Sequence, residues 1–145
     1  MIAIDTNLLV YAHRTDSPFH EEARSVIEEV VSASAPWALP WPCLHEFIAI
    51  VTHPRIYKQP TPLQAAFDTL KALADRPNTR VLAEAPGYLA RLEQCALGAR
   101  LSGAMIHDAR IAALCLHHGV RELLSADRDF SRFPELKVRN PLRGA

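Results

Sequence analysis

The chain begins with Met1-Ile2-Ala3-Ile4-Asp5-Thr6-Asn7, in which a short apolar run is followed at once by three polar residues. A short apolar run of this kind is typical of a strand that is buried on both faces, as the strands of a parallel sheet are. Asp5 therefore stands at the carboxyl end of the predicted first strand. In open α/β sheets, ligands bind beyond that end of the strands.

Strand-like and helix-like segments alternate along the rest of the chain. Further strands are predicted at residues 37–39, 81–82, 122–125 and 136–138, and helices at residues 17–31, 43–51, 61–73, 88–96 and 106–116. Strands separated by helices of about 10–15 residues indicate βαβ units and a parallel sheet. We therefore predict one α/β domain over residues 1–145, with a mainly parallel sheet flanked by helices.

The composition excludes several classes of protein. The 145 residues include 16 Lys and Arg and 16 Asp and Glu, so the net charge is zero, which argues against a strongly basic nucleic-acid binder but not against a local basic patch. Asp5 interrupts the apolar N-terminus, and no apolar stretch reaches the roughly 18–20 residues that span a bilayer. Three widely spaced cysteines are typical of free thiols. We expect a cytoplasmic protein with no membrane contact.

Four acidic residues from separate segments are candidates for one site. Asp5 and Asp127 each follow a predicted strand, Glu46 lies early in the helix after the second strand, and Asp108 lies near the start of the helix at residue 106. Like charges at one sheet edge cannot all stay ionised without a cation. Mg²⁺ prefers oxygen ligands, and a Mg²⁺ site suits hydrolysis of a phosphodiester.

Each acid taken alone also has an ordinary structural explanation. Asp5 could form a turn or cap a helix, and Glu46 could be a solvated helix residue. Asp108 could complement its helix dipole, and Asp127 with Asp129 could form an Asx turn. The residue pattern leaves both explanations open.

Four segments resemble the motifs of PIN-domain proteins. Residues 2–7 resemble the opening of that family, in which an Asp after the first strand is followed by Thr or Ser. Residues 43–47 resemble the segment that carries the second acid, and residues 106–113 resemble the Asp-Ala-x-Ile-Ala-Ala helix. Residues 125–130 resemble the late Thr-x-Asp-x-Asp-Phe motif, with Ser in place of Thr. The resemblance runs from residue 2 to about residue 133.

In length and layout the chain looks most like the VapC toxins of bacterial toxin–antitoxin pairs. The resemblance implies a PIN-like fold and a Mg²⁺- or Mn²⁺-dependent endoribonuclease that cleaves RNA, forms a homodimer and is neutralised by a cognate antitoxin. It implies that Asp5 and Asp108 are direct metal ligands and that Glu46 and Asp127 complete an acidic pocket. It also places Thr6 where its hydroxyl can hold a phosphate or a carboxylate.

The remaining candidates have weaker support. Asp129 is expected in a supporting or turn role rather than as a ligand. Six basic residues are candidates for phosphate contacts, and Arg128 is the best placed because it lies inside the late acidic motif: Arg14, Arg55, Lys58, Arg128, Arg132 and Arg139.

Three aromatic residues, Trp37, Trp41 and Tyr57, are candidates for stacking on bases. For the two tryptophans, a place in the core or at a subunit interface is favoured over stacking. Two alternative functions stay open at this point: a non-catalytic PIN-like nucleic-acid-binding or scaffold module, and a structure-specific DNA nuclease.

Overall fold

The computed structural model describes residues 1–142, which form five strands and six α-helices. The elements are β1 (Ile2–Ile4), α1 (Thr6–His13), α2 (His20–Ser32), β2 (Trp37–Pro40), α3 (Trp41–Val51), α4 (Leu63–Ala74), β3 (Thr79–Leu82), α5 (Tyr88–Gly98), α6 (Ile106–His117), β4 (Glu122–Leu124) and β5 (Val138–Arg139). Two short 3₁₀ helices lie at Gly103–Met105 and Arg128–Arg132.

The five strands form one parallel sheet in the order β3-β2-β1-β4-β5. The prediction of a parallel α/β fold is therefore confirmed. From β1 the chain adds β2 and β3 on one side and later β4 and β5 on the other, so the strand order reverses between β1 and β4. Ligand sites of open α/β sheets lie at such a switch point, beyond the carboxyl ends of the strands.

Helix α1 was not predicted from the sequence. It begins at Thr6, directly after β1, and buries Leu8, Leu9 and Val10. Three consecutive apolar residues are too few to show a helical period, so periodicity alone does not separate this run from a strand. The early start places Thr6 in the first turn of a helix at the carboxyl edge of the sheet.

The start of α2 also differs from the prediction. The helix begins at His20 and not at Ser17, because Phe19 takes a left-handed conformation with φ of 61°. The hydroxyl of Ser17 donates to the carbonyl oxygens of Tyr11 and Arg14 and so closes the turn between α1 and α2.

The core lies on both faces of the sheet, and its largest fully buried side chains include Trp37, Phe47 and Phe130. All three cysteines are free and buried, as expected. None of the helices within residues 1–142 has the length and apolar character needed to cross a membrane.

Candidate functional site

The fold brings the predicted acids together at the carboxyl edge of the sheet. Asp5 follows β1 and Asp127 follows its neighbour β4, while α3 supplies Glu46 and the first turn of α6 supplies Asp108. The charges of Glu46 and Asp127 act on Asp5, and those of Asp127 and Glu46 also act on Asp108. Four segments that are distant in sequence therefore contribute to one acidic cluster.

Asp5 forms the floor of this cluster and is only 4% exposed. Ser125 Oγ donates a hydrogen bond to Asp5 Oδ2 over 2.7 Å, and the thiol of Cys43 approaches Oδ1 at 3.7 Å. The backbone N–H of Asp127 donates to Ser125 Oγ over 3.0 Å. Ser125 thus links two acids directly, a role that sequence reasoning missed, although the serine in the late motif was the available signal.

Burial changes the ionisation of Asp5. Its pKa is raised to about 6, chiefly because burial removes the charged form from water. The hydrogen bonds from Ser125 and from the Thr6 backbone oppose this rise, and the charges of Glu46 and Asp127 add to it. A cation bound at this carboxylate would therefore mainly offset the cost of burying its negative charge. To a smaller extent it would also offset the repulsion from the neighbouring acids.

Helices α1 and α3 are joined at the site by one short hydrogen bond. Thr6 Oγ1 donates to Glu46 Oε2 over 2.7 Å. Of the two partners considered for the Thr6 hydroxyl, phosphate or carboxylate, the structure provides the carboxylate. This bond fixes the direction in which Glu46 faces, because Glu46 otherwise projects from a helix and has rotamer freedom.

Three carboxylates of the site lie especially close to one another. Asp108, Asp127 and Asp129 each offer one oxygen, and these oxygens all lie within 4.8 Å of one another. Burial, followed by the charges of Asp127, Asp129 and Glu46, raises the pKa of Asp108. The structure thus places Asp129 with the other acids, closer to them than a purely supporting role requires.

The turn that holds Asp127 and Asp129 is an Asx turn. The backbone N–H of Asp129 donates to Asp127 Oδ1 over 2.8 Å, at the start of the 3₁₀ helix that follows β4. Arg132 lies one turn further on, with its guanidinium nitrogen 4.0 Å from Asp129 Oδ1. Asp127 therefore both forms an Asx turn and belongs to the acidic cluster.

The donor set of the cluster fits a hard divalent cation. All the converging ligands are carboxylate oxygens, the type that Mg²⁺ and Mn²⁺ prefer. Each carboxylate oxygen has two lone pairs, so Asp5 and Asp127 can accept their hydrogen bonds and still coordinate an ion. Burial and the neighbouring acids raise the pKa values of Asp5 and Asp108, and the charge of Arg132 offsets only part of this rise at Asp108.

An open cavity of about 620 Å³ adjoins Asp127 on the β5 side of the site. Asp127, Arg128, Ser131 and Asn140 contribute polar groups to its lining, and Phe133 is among the apolar residues there. The side chain of Arg128 is exposed. It therefore remains available to a ligand that enters this cavity.

Two other candidates for phosphate contacts already form ion pairs within the protein. Arg14 binds Asp16 at 2.6 Å and is largely buried, and Arg139 binds the buried Glu122 at 3.0 Å. Glu122 begins β4 at the opposite edge of the sheet from Asp5. These two arginines have structural partners, whereas the exposed Arg128 lines the cavity next to Asp127.

Comparison with known proteins agrees with the predicted resemblance to PIN-domain proteins. The family model of the PIN domain matches residues 2–136. Ribonuclease VapC43 of Mycobacterium tuberculosis is 36% identical over 144 residues, covering 99% of this chain and 97% of that protein. Ribonuclease VapC48 of the same species is 31% identical over 140 residues, covering 97% of both.

Solved structures share the fold at lower sequence identity. VapBC2 from Rickettsia felis, bound to a DNA fragment from its promoter, has a chain that superposes with a TM-score of 0.70 at 17% identity, covering 97% of this chain and 98% of that one. FitAcB from Neisseria gonorrhoeae gives a TM-score of 0.67 at 17% identity and 99% coverage of both chains. The five-stranded parallel architecture is thus that of known toxin–antitoxin structures.

Proposed function

The chain belongs to the PIN-domain family, and from this we propose that it is a metal-dependent endoribonuclease that acts as the toxin of a toxin–antitoxin pair. The observation that carries the proposal is the convergence of the carboxylates of Asp108, Asp127 and Asp129, together with the buried Asp5, on which the charge of Asp127 acts. Relatives that align along nearly the whole chain are named ribonucleases, which supports RNA as the substrate. We treat residues 1–145 as one domain, and the buried free thiols support a location in the reducing cytoplasm.

We assign each acid a role. Asp5 and Asp108 are the direct ligands of Mg²⁺ or Mn²⁺, and Glu46 and Asp127 complete the pocket by orienting the attacking water. A divalent cation bound there supplies a more acidic water and stabilises the charge that develops on the phosphate. Thr6 holds Glu46 in the direction of the pocket through its 2.7 Å hydrogen bond.

Two more residues support this arrangement. Ser125 holds the carboxylate of Asp5 and the backbone of Asp127 at once, so the strands β1 and β4 present their acids in a constant relative position. Arg128 is placed to contact a phosphate of the RNA in the neighbouring cavity. Asp129 supports Asp127 through the Asx turn and is close enough to take part in ion binding.

A non-catalytic scaffold is disfavoured by the energetics of the site. Burial of Asp5 with a pKa of about 6 destabilises the ionised protein at neutral pH, and a scaffold gains nothing in return. An enzyme gains a preformed metal site. Sites that carry strain or perturbed acids of this kind are typical of function.

We further propose that the protein is a homodimer and that a small antitoxin neutralises it. The solved relatives are antitoxin–toxin complexes, and exposed apolar residues such as Ile56 and Leu89 offer contact surface. An inserted antitoxin arginine would pair with the acids and compete with the cation. Trp37 drops out of the predicted interface because it is buried in the core.

The proposal is tested by cleavage of single-stranded RNA in Mg²⁺. We expect Asp108→Asn to cleave at least about 100-fold more slowly than the wild type, because one charged ligand of the site is lost. Asp68→Asn, which changes an exposed acid on α4, is the matched control and should cleave at the wild-type rate. Full activity of Asp108→Asn would contradict the assignment, and equal cleavage of single-stranded DNA would favour the DNA-nuclease alternative.

A further inference from the structure

The structure separates the three aromatic residues that were candidates for base stacking. Trp37 is 1% exposed and lies in the core. Tyr57 carries the guanidinium of Arg14 on its ring face, with Arg14 Cζ 3.9 Å from the ring centroid. Trp41 is 42% exposed, so it is the one of the three with a face available to a ligand.

Trp41 does not stand alone at the surface. Its ring lies 6.0 Å from that of His45, centroid to centroid, and the two planes are inclined by only 31°. Both side chains project from α3, one helical turn apart, and His45 is also exposed. Together they form an exposed aromatic surface, which we call the α3 platform (Trp41 and His45).

The α3 platform lies at the same edge of the sheet as the acidic cluster. Helix α3 begins at Trp41, directly after β2, and therefore at the same carboxyl edge of the sheet that carries the acids. Glu46 is the next residue after His45 and is bonded to Thr6 inside the cluster. An RNA strand bound at the acids could extend along this edge of the sheet to α3.

The backbone around Trp41 is restricted. Pro40 precedes it, with φ of −64° and ψ of 135°, and Pro42 follows it as a buried residue in the first turn of α3. Prolines fix φ and reduce the conformations that the chain can adopt. The indole is therefore presented from a fixed backbone, which lowers the entropy lost when a ligand orders it.

We propose that the α3 platform binds an unpaired nucleobase of the RNA next to the phosphate that is cleaved. This inference rests on the proposed ribonuclease function. Aromatic side chains stack on any base because every base has a π-face, and bases are available for stacking where RNA is single-stranded. The platform thus favours single-stranded RNA, and purines in particular because their larger rings cover more of the indole.

RNA fits this surface better than a second protein subunit does. A subunit docked on Trp41 would cover the residues next to Glu46 and narrow the entrance to the acids. More exposed apolar side chains are available elsewhere, with Leu89 and Leu97 projecting from α5. A polar, ionisable ring such as His45 also suits a base better than a dry subunit contact.

The test uses tryptophan fluorescence, because the chain has only two tryptophans. In the Trp37→Phe variant all tryptophan emission comes from Trp41. The probe is the hexamer r(A)₆, titrated in EDTA so that no metal-dependent cleavage occurs, and the matched ligand is an abasic hexamer with the same phosphates. We expect r(A)₆ to quench the emission to saturation and the abasic hexamer to leave it nearly unchanged.

Affinity for labelled r(A)₆ is then measured by fluorescence anisotropy for variants of the wild-type chain. Trp41→Leu should bind about 5- to 150-fold more weakly, the range for loss of one stacked base, and His45→Ala should weaken binding by a smaller factor. Phe67→Leu is the control, because Phe67 is also 42% exposed but lies on α4, and it should bind as the wild type does.

The outcomes separate the platform from the ribonuclease function. Equal quenching by both hexamers, or unchanged affinity in Trp41→Leu, overturns the platform. If Trp41→Leu instead changes the native mass while its RNA affinity is unchanged, the surface is a subunit contact. A wild-type protein that cleaves RNA in Mg²⁺ without Trp41 quenching leaves the nuclease standing, whereas a wild type that neither binds nor cleaves RNA contradicts both.

Discussion

Asp5→Asn is expected to stabilise the metal-free protein at neutral pH. The carboxyl group is 4% exposed, and its pKa is raised from 3.8 to about 6, chiefly by burial. A rise of that size makes the ionised folded protein about 3 kcal/mol less stable at pH above about 7 than it would be with an unperturbed carboxyl group. Asparagine has nearly the same shape and carries no charge, so it removes this cost.

The substitution also loses part of the local hydrogen bonding. The amide oxygen can still accept from Ser125, but a neutral acceptor makes a weaker bond than a carboxylate does. The amide NH₂ would then face the sulfur of Cys43, which is a weak acceptor. These losses amount to about 1–2 kcal/mol. We therefore expect a net gain in the free energy of unfolding of about 1–2 kcal/mol at neutral pH.

The gain has a defined pH dependence. Between about pH 4 and pH 6 the folded wild type binds a proton at Asp5 that the unfolded chain has released, so wild-type stability falls as the pH rises through this window. Asp5→Asn lacks the titrating carboxyl group, so its free energy of unfolding does not fall with pH for this reason. The advantage of the variant should therefore be absent near pH 4 and complete above about pH 7.

Urea unfolding in EDTA, followed by far-ultraviolet circular dichroism across this pH range, measures the difference. Asp68→Asn serves as the control and should stay within about 0.5 kcal/mol of the wild type, as exposed substitutions usually do. A variant that is less stable than the wild type at neutral pH, or a difference that does not change with pH, would refute the account of Asp5. The same variant should lose RNA cleavage while it remains folded.

Three further predictions concern the other acids, the metal and the partners. Asp127→Asn should slow single-turnover cleavage more than Asp129→Asn, because Asp127 lies nearer the end of β4 and anchors the turn through its own carboxylate; equal losses would show that the two acids share the role. EDTA should abolish activity and Mg²⁺ or Mn²⁺ should restore it without Zn²⁺, since the cluster offers only oxygen ligands; activity that copurifies with stoichiometric zinc is the contrary result. The purified protein should have the native mass of a dimer and should lose activity when it is co-expressed with the product of the adjacent small gene; an active monomer that is indifferent to that product would exclude this regulation.

The sequence by itself determined the class of fold and the edge of the sheet at which two of the candidate acids lie. Short apolar runs separated by helical periods indicated a parallel sheet, and a residue that directly follows such a run lies at the carboxyl edge whatever the details of packing. Asp5 and Asp127 could be assigned to one edge for this reason, because β1 and β4 are parallel neighbours. The motif resemblance then extended the assignment to Glu46 and Asp108, and the PIN-domain match over residues 2–136 confirms that resemblance.

Tertiary structure alone decided how those acids are held. The contacts of Asp5 with Cys43 and Ser125 join residues 38 and 120 positions apart, and no local pattern encodes such a pairing. The close approach of Asp129 to Asp108 depends on the packing of the turn after β4 against α6. Local periodicity reports which face of an element is buried, whereas distances between elements arise only when the whole core packs, and the burial that raises the pKa of Asp5 is set by that packing.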